Sequence, residues 1–232
     1  MAPSVDGTPH TFIEHGLYDG LFLMRDEESG TYWDHMTGEA VYGPLTGTSL
    51  EVRNVQMTNP AQALAAHPDA LIALSDRQMG SDERVSLGGL LASVGSGLSR
   101  MFSSTVEEED GRRPTLDLGL GLWEGETARY YPYDVITGGE NAILDRFQDR
   151  TVLVYLDPAA YALAAMYVEV DGFEWDGKVL RLSDGSRIQE GVLYGPDGAR
   201  ARPDRPLQVF TRWYGFSLTF PETGIFEGPA GR

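Results

Sequence analysis

The feature that most constrains this chain is an ordered set of turn signals that occurs twice. In the first third the order is Asp26-Glu-Glu-Ser-Gly-Thr-Tyr-Trp33, then Gly38-Glu-Ala-Val-Tyr-Gly-Pro-Leu-Thr-Gly47, then His67-Pro68. The second half answers with Ser183-Asp-Gly-Ser186, then Gly191-Val-Leu-Tyr-Gly-Pro-Asp-Gly198, then Phe220-Pro221. Gly, Pro, Asp and Ser at such positions punctuate a chain into short strands. Recurrence of one order of strands and turns predicts a duplicated supersecondary unit, each half needing a partner to cover its apolar face. The signal bears on architecture far more than on chemistry.

At 232 residues and 41% hydrophobic content the chain is long enough for one large domain or two small ones with real cores. Its formal charge of −17 comes from 35 acidic against 18 basic side chains, and Lys178 is its single lysine. Such a surface repels phosphate backbones and anionic membranes, so no nucleic-acid role is expected. A genome rich in Arg codons and adaptation to high salt would each produce this balance. The lack of cysteine excludes disulfides, thiolate-bound zinc, iron–sulfur clusters and a cysteine nucleophile. The first residues show neither a basic nor an apolar leader region, and no run of about 18 apolar residues occurs, so no transmembrane segment and a cytoplasmic location are expected.

Along residues 11 to 75, Gly16 to Met24, Thr31 to Trp33, Glu39 to Tyr42, Ser49 to Arg53 and Leu71 to Leu74 read as short strands, rich in aromatic and branched side chains. Glu27-Glu-Ser-Gly30 reads as a hairpin turn, with Gly30 free to adopt positive φ. Asn59 to His67 reads as a helix: Asn59 can cap it, Pro60 suits its first position and Pro68 stops it. In the second half, Leu116 to Trp123 and Thr127 to Tyr133 form a hairpin pattern across Glu124-Gly125. Thr151-Val-Leu-Val-Tyr-Leu156 is the clearest buried strand, with Ala164 to Val170 as its neighbour. Val179 to Leu182, Gly191 to Tyr194 and the aromatic segment Val209 to Phe216 complete the half.

Between them, residues 76 to 113 turn to Gly, Ser and charge, as a linker does. Within this stretch Leu87, Leu90, Leu91, Val94, Leu98, Met101 and Phe102 fall on one helical face. Four glycines there each weaken a helix by roughly 1 kcal/mol relative to Ala, so the segment needs its apolar face covered, by its own domain, a partner or a membrane surface. The expected division is 1–77 as a first, incomplete β-rich unit, 78–113 as linker with its amphipathic segment, and 114–232 as a second, fuller unit.

These residues resemble the family catalogued as domain of unknown function number 3179. The resemblance is carried by Asp26, Ser29, Gly30, Thr31 and Trp33, by Gly38, Ala40, Gly43, Pro44, Leu45 and Gly47, and by His67 and Pro68. In the second half it is carried by Ala128-Arg-Tyr-Tyr-Pro132, Trp213 and Phe220-Pro221. It spans most of residues 12 to 75 and 116 to 227. The family pattern also has an upstream half-unit with a Tyr-Cys-Pro-Leu-Cys motif, which this cysteine-free chain does not match, and residues 86 to 102 depart from the pattern as well. The resemblance implies a fold and no reaction.

Catalytic signals are sparse. The four histidines, His10, His15, His35 and His67, show no His-x-His or His-x-x-x-His spacing. His15 and His35 could meet across a hairpin with Asp26 or Asp34 as oxygen ligand, which makes them the candidate metal ligands, and His67 reads as a helix end. No Gly-x-Ser-x-Gly elbow frames a serine. Gly119-Leu-Gly121 and Gly138-Gly139 read as turns, too short for a phosphate loop. Carboxylates such as Asp26, Glu39, Asp134, Glu140 and Asp184 could pair for acid–base work, but 35 acidic residues supply such pairs by chance. Trp33, Tyr32, Tyr42, Trp213 and Tyr214 could line a sugar or peptide groove or simply staple β-units.

The sequence therefore predicts an α+β, β-rich fold: two related β-units packed together with a few short helices. Its function reads as a non-catalytic binding or structural module, engaging a protein partner or a second copy through Leu87, Leu91, Leu98 and Phe102. The alternative is a divergent ligand- or metal-binding enzyme with Asp26, Trp33, His35 and Tyr42 around its site. No cofactor is predicted.

Overall fold

A computed structural model describes residues 3–18, 21–71 and 109–228. Short strands in several sheets dominate, with three short helices among the described residues, so the fold is α+β and β-rich. The chain divides into two compact units, one built on the residues up to Val52 and the other on Arg53–Ala70 together with the chain from Gly111 onward. The amphipathic segment carrying Leu87, Leu91, Leu98 and Phe102 lies outside the described residues.

In the first unit a two-stranded ribbon, β1 (Ser4–Val5) and β2 (Thr8–Pro9), leads into a four-stranded antiparallel meander. Its strands are β3 (Phe12–Tyr18), β4 (Leu21–Asp26), β5 (Tyr32–Asp34) and β6 (Ala40–Tyr42). Alternation along each strand sorts the side chains to two faces. Met24, Trp33 and Ala40 stand opposite one another in register and form a small core with Val5, Phe12, Leu45 and Leu50. The stretch Gly16 to Met24, expected as one strand, is split between β3 and β4, which pair antiparallel with a register shift between Glu14 and Leu17. Ser49 to Arg53 forms no strand; Ser49 makes one isolated bridge to Glu39.

The second unit is layered. A hairpin of β7 (Leu118–Glu124) and β8 (Thr127–Pro132) is flanked by β16 (Leu207–Arg212) beside β7 and β17 (Gly224–Ile225), which runs parallel to β8. A second sheet has the order β11 (Ala162–Tyr167), β10 (Arg150–Asp157), β9 (Ala142–Phe147). Strand β10 is covered on both sides, which is why its sequence is a continuous apolar run rather than an alternating one. Val152 and Val154 pack with Leu120, Leu122 and Tyr131 of the hairpin and with Ile136 of helix α2 (Tyr133–Thr137). Leu153 and Tyr155 pack the other way, against Leu180, Leu182 and Ile188. Those three belong to a second meander, β12 (Phe173–Asp176), β13 (Val179–Leu182), β14 (Arg187–Gln189) and β15 (Val192–Tyr194).

The remaining face of the hairpin carries helix α3 (Trp213–Thr219), through Trp213 and Phe216 against Tyr130 and Trp123. Gly119 and Gly121 are strand residues of β7 here, not the turn that their spacing suggested. They leave room for rings: a Cβ on Gly121 would sit 2.0 Å from the Phe216 ring, and one on Gly119 would sit 2.5 Å from that of Tyr130.

The two meanders place the repeated turn signals at matching points. The Asp26 to Gly30 turn and the Ser183 to Ser186 turn each join the second strand to the third, and Gly-Pro follows the Tyr that ends each fourth strand. Beyond that turn Ser49 bridges back to Glu39, and Arg200 to Tyr194.

Residues 53–70, assigned to the first unit from sequence, pack with the second. Helix α1 (Pro60–Ala66) has the expected cap, a reciprocal pair in which the Asn59 side chain accepts from the Gln62 N–H and the Gln62 side chain accepts from the Asn59 N–H. What fixes the helix to the second unit is polar. Gln62 Nε2 donates to the buried Asp157 carboxylate at 2.7 Å, and Asn59 Nδ2 donates to Ala159 O at 3.2 Å. Hydrophobic periodicity carries no trace of such contacts.

Two outcomes follow from this packing. Gly121→Ala should destabilise the second unit by about 1–3 kcal/mol through overpacking, and Phe216→Leu in the same chain should recover part of the loss in a urea-denaturation double-mutant cycle. Burial raises the phenol pKa of both Tyr130 and Tyr131, reinforced by Asp117 and Asp145 respectively. The unfolded chain therefore releases these protons first, so the contribution is complete below the ordinary tyrosine value of about 10 and is lost as pH rises above it. Tyrosinate absorbance at 295 nm should include a cooperative component that appears together with loss of far-ultraviolet dichroism.

Candidate functional site

Asp26 ends β4 and its carboxylate is fully buried. A charge removed from water needs donors around it, and the turn that follows supplies them. Ser29 N–H donates to Oδ1 at 2.5 Å, while Ser29 Oγ and Trp33 Nε1 donate to Oδ2 at 2.7 and 2.8 Å. The backbone closes around this centre, with Gly30 N–H on Asp26 O, Asp26 N–H on Thr31 O, and Gly30 at φ +72°. Burial alone would raise the Asp26 pKa; bonds from Trp33, Ser29 and His10 outweigh it and hold the carboxyl well below the usual carboxylate range.

The second turn signal docks on the first. The fully buried Thr31 shares a hydroxyl–hydroxyl bond of 2.7 Å with Ser29 and accepts Leu45 N–H at 3.2 Å. Gly43 lies so near that a Cβ would stand 2.9 Å from Thr31 Cα, and its φ of +119° also suits glycine. The two sequence signals of the first unit are thus two sides of one buried polar cluster.

Beside this cluster sits a histidine that the sequence reading passed over. His10 Nδ1 is 3.3 Å from Asp26 Oδ1 and 3.9 Å from Glu28 Oε2, and its side chain is only 8% exposed. The nitrogen is buried and lacks a well-aligned hydrogen-bond partner. Glu28 is held in place by Thr11, whose N–H donates to Oε2 at 2.8 Å. The signal that could have found His10 is the Asp19-Gly20 dipeptide. As a sequence signal it suggests a hairpin; straight pairing back from it would set Phe12 opposite Glu27, and the register shift between Glu14 and Leu17 sets Phe12 opposite Asp26.

The residues singled out from sequence separate onto two faces. Asp26 and Trp33 point inward, where Trp33 is buried against Phe12 and bound to Asp26. Tyr42 is on the outward face at 73% exposure, His15 is exposed and stands edge-on to Tyr32 at 5.3 Å, and His35 is exposed in the turn after β5. Ile13, Arg25, Tyr32 and Tyr42 pair in register across all four strands of this outward face. Of the carboxylates considered for acid–base work, Asp134 is engaged by Arg113 and Asp184 by Ser186. No helix among the described residues is long and apolar enough to cross a membrane.

The donor set around Asp26 makes a specific demand on Trp33. Trp33→Phe keeps the ring and removes the N–H, so it should cost about 1.5–3 kcal/mol, the range for a hydrogen bond to a charged group. Amide hydrogen exchange across residues 21–45 should accelerate accordingly, while exchange in β10 stays unchanged.

Comparison with known proteins gives one match. No curated protein and no solved structure matches this chain. The family model described as Protein of unknown function (DUF3179) matches residues 2–186, which takes in the Asp26 cluster, the Tyr42-Gly43-Pro44 turn of the first unit, and the second unit as far as the Asp184 turn. With most of its length matched, the chain belongs to the DUF3179 family.

Proposed function

We propose that this chain is a non-catalytic binding module whose recognition surface is the outward face of the first unit's sheet, and whose partner is a protein with net positive charge. One observation carries the reading: the row Ile13, Arg25, Tyr32, Tyr42 crosses all four strands in register on that face. Tyr18, paired with Leu21 on the same face, is 67% exposed, and Tyr42 is 73% exposed. Large rings with a polar tip, set side by side on a rigid sheet, give contact area at low cost in conformational entropy. A chain of formal charge −17 steers basic partners toward itself and opposes association with its own copies. In this reading Asp26 holds the unit's fold, its carboxylate accepting two bonds from Ser29 and one from Trp33.

A Tyr18→Asp, Tyr42→Asp double variant should keep the wild-type dichroism spectrum and melting temperature, since both side chains are exposed. Native mass spectrometry of affinity-purified wild type should reveal a stoichiometric basic polypeptide that falls at least tenfold with the variant and dissociates as salt is raised. Equal recovery from both chains, or purification of the wild type alone, would overturn the proposal. The second reading, a metal- or ligand-binding site near the Asp26 turn, is favoured by a separate observation, the buried His10 nitrogen that faces two carboxylates without a well-aligned hydrogen bond.

A further inference from the structure

We infer that His10 Nδ1, Asp26 Oδ1 and Glu28 Oε2 form a binding site for a divalent transition-metal ion of the Mn²⁺ or Zn²⁺ class. The three side chains each offer one ligand atom, and these atoms all lie within 4.8 Å of one another. Two of the separations are 3.3 and 3.9 Å. Ligands about 2.0–2.2 Å from one ion stand roughly 3.0–3.5 Å apart at neighbouring positions, so His10 and Asp26 already stand at ligand spacing and the exposed Glu28 carboxylate would move inward to close the site. The inference does not depend on the partner proposed above.

A cluster of carboxylates is common on a protein this acidic, and the histidine is what distinguishes this one. Its Nδ1 is buried between two carboxylates, in a side chain that is only 8% exposed, without a regular hydrogen bond. Buried polar atoms are nearly always satisfied, and an orphaned imidazole nitrogen facing two oxygens is satisfied by a cation that all three can ligate. The carboxylates are already oriented for it. Asp26 Oδ1 accepts only Ser29 N–H as a regular bond, while Oδ2 takes Ser29 Oγ and Trp33 Nε1, and Thr11 N–H fixes Glu28 Oε2. Such outer partners hold metal-binding carboxylates in place.

The donor types select the ion. One imidazole with two carboxylates suits Mn²⁺ and Zn²⁺, whereas Ca²⁺ and Mg²⁺ take oxygen shells. Glu28 is exposed, so water or a ligand donor would complete the coordination from the solvent side. The sequence candidates His15 and His35 contribute nothing to this group, since His15 packs on Tyr32 across the outward face and His35 lies beyond β5.

The competing account is an imidazolium held between two carboxylates with no metal at all. Calorimetric titration of the full chain with Mn²⁺ and with Zn²⁺ separates the two. The site predicts one saturable ion per chain, weakened at least about tenfold by His10→Ala and by Glu28→Gln, the loss that even outer-shell partners produce. With Mn²⁺ bound, pulsed paramagnetic resonance should show nitrogen coupling from one imidazole that disappears in His10→Ala and survives in His15→Ala and His35→Ala. Because Asp26 also holds the turn, its substitution is left out, and both other variants are confirmed folded by dichroism. No saturable ion, or binding and nitrogen coupling indifferent to His10→Ala, would overturn the inference.

Discussion

A carboxylate taken wholly out of water is tolerated only where donors converge on it, and that requirement organises the first unit around Asp26. The turn from Asp26 to Thr31 is shaped so that Ser29 can give both its N–H and its hydroxyl, and β5 places the Trp33 indole over the same carboxylate. Thr31 passes the network on to Leu45, and Gly43 permits the close approach. Removing any donor leaves a buried charge under-solvated, so the ring, the turn and the following Gly-Pro turn stand together. With so small an apolar cluster beneath it, this unit relies on polar order to a degree that a larger core would not require.

The second unit meets the opposite situation. Its central strand β10 gives Val152 and Val154 to one apolar layer and Leu153 and Tyr155 to another, so a three-stranded sheet is buried on both faces. Buried polar groups here serve attachment. The Tyr131 hydroxyl and Arg129 share the Asp145 carboxylate, and Asp157 receives Gln62 from helix α1. These bonds join neighbours that hydrophobic contact alone would leave free to slide.

Local chemistry was legible wherever one short stretch decides the outcome. The Gly30 turn, the Asn59 cap with Pro60 behind it, the hairpin at Glu124-Gly125 and the buried run at Val152 each follow from side chains within a few residues. Pairing across distance was not. The division of Gly16 to Met24 into two strands, the strand role of Gly119 and Gly121, and the packing of residues 53–70 with the second unit all depend on a remote partner. His10 belongs with these: neither its neighbours nor its spacing singles it out among the four histidines, and the β3–β4 register carries it to Asp26.

What the sequence by itself determined is the alternation of short strands with turns, the β-rich class, the family, and the identity of the turn residues, because glycine, proline, aspartate and serine act on their own backbone. What the tertiary structure decided is which face each side chain occupies and which distant groups meet. Trp33 and Tyr42 read as one aromatic group in the sequence; the register of β4, β5 and β6 buries the first on Asp26 and turns the second to solvent. The physical reason is the two-residue period of a strand, under which a shift of one position in pairing sends a side chain to the opposite face.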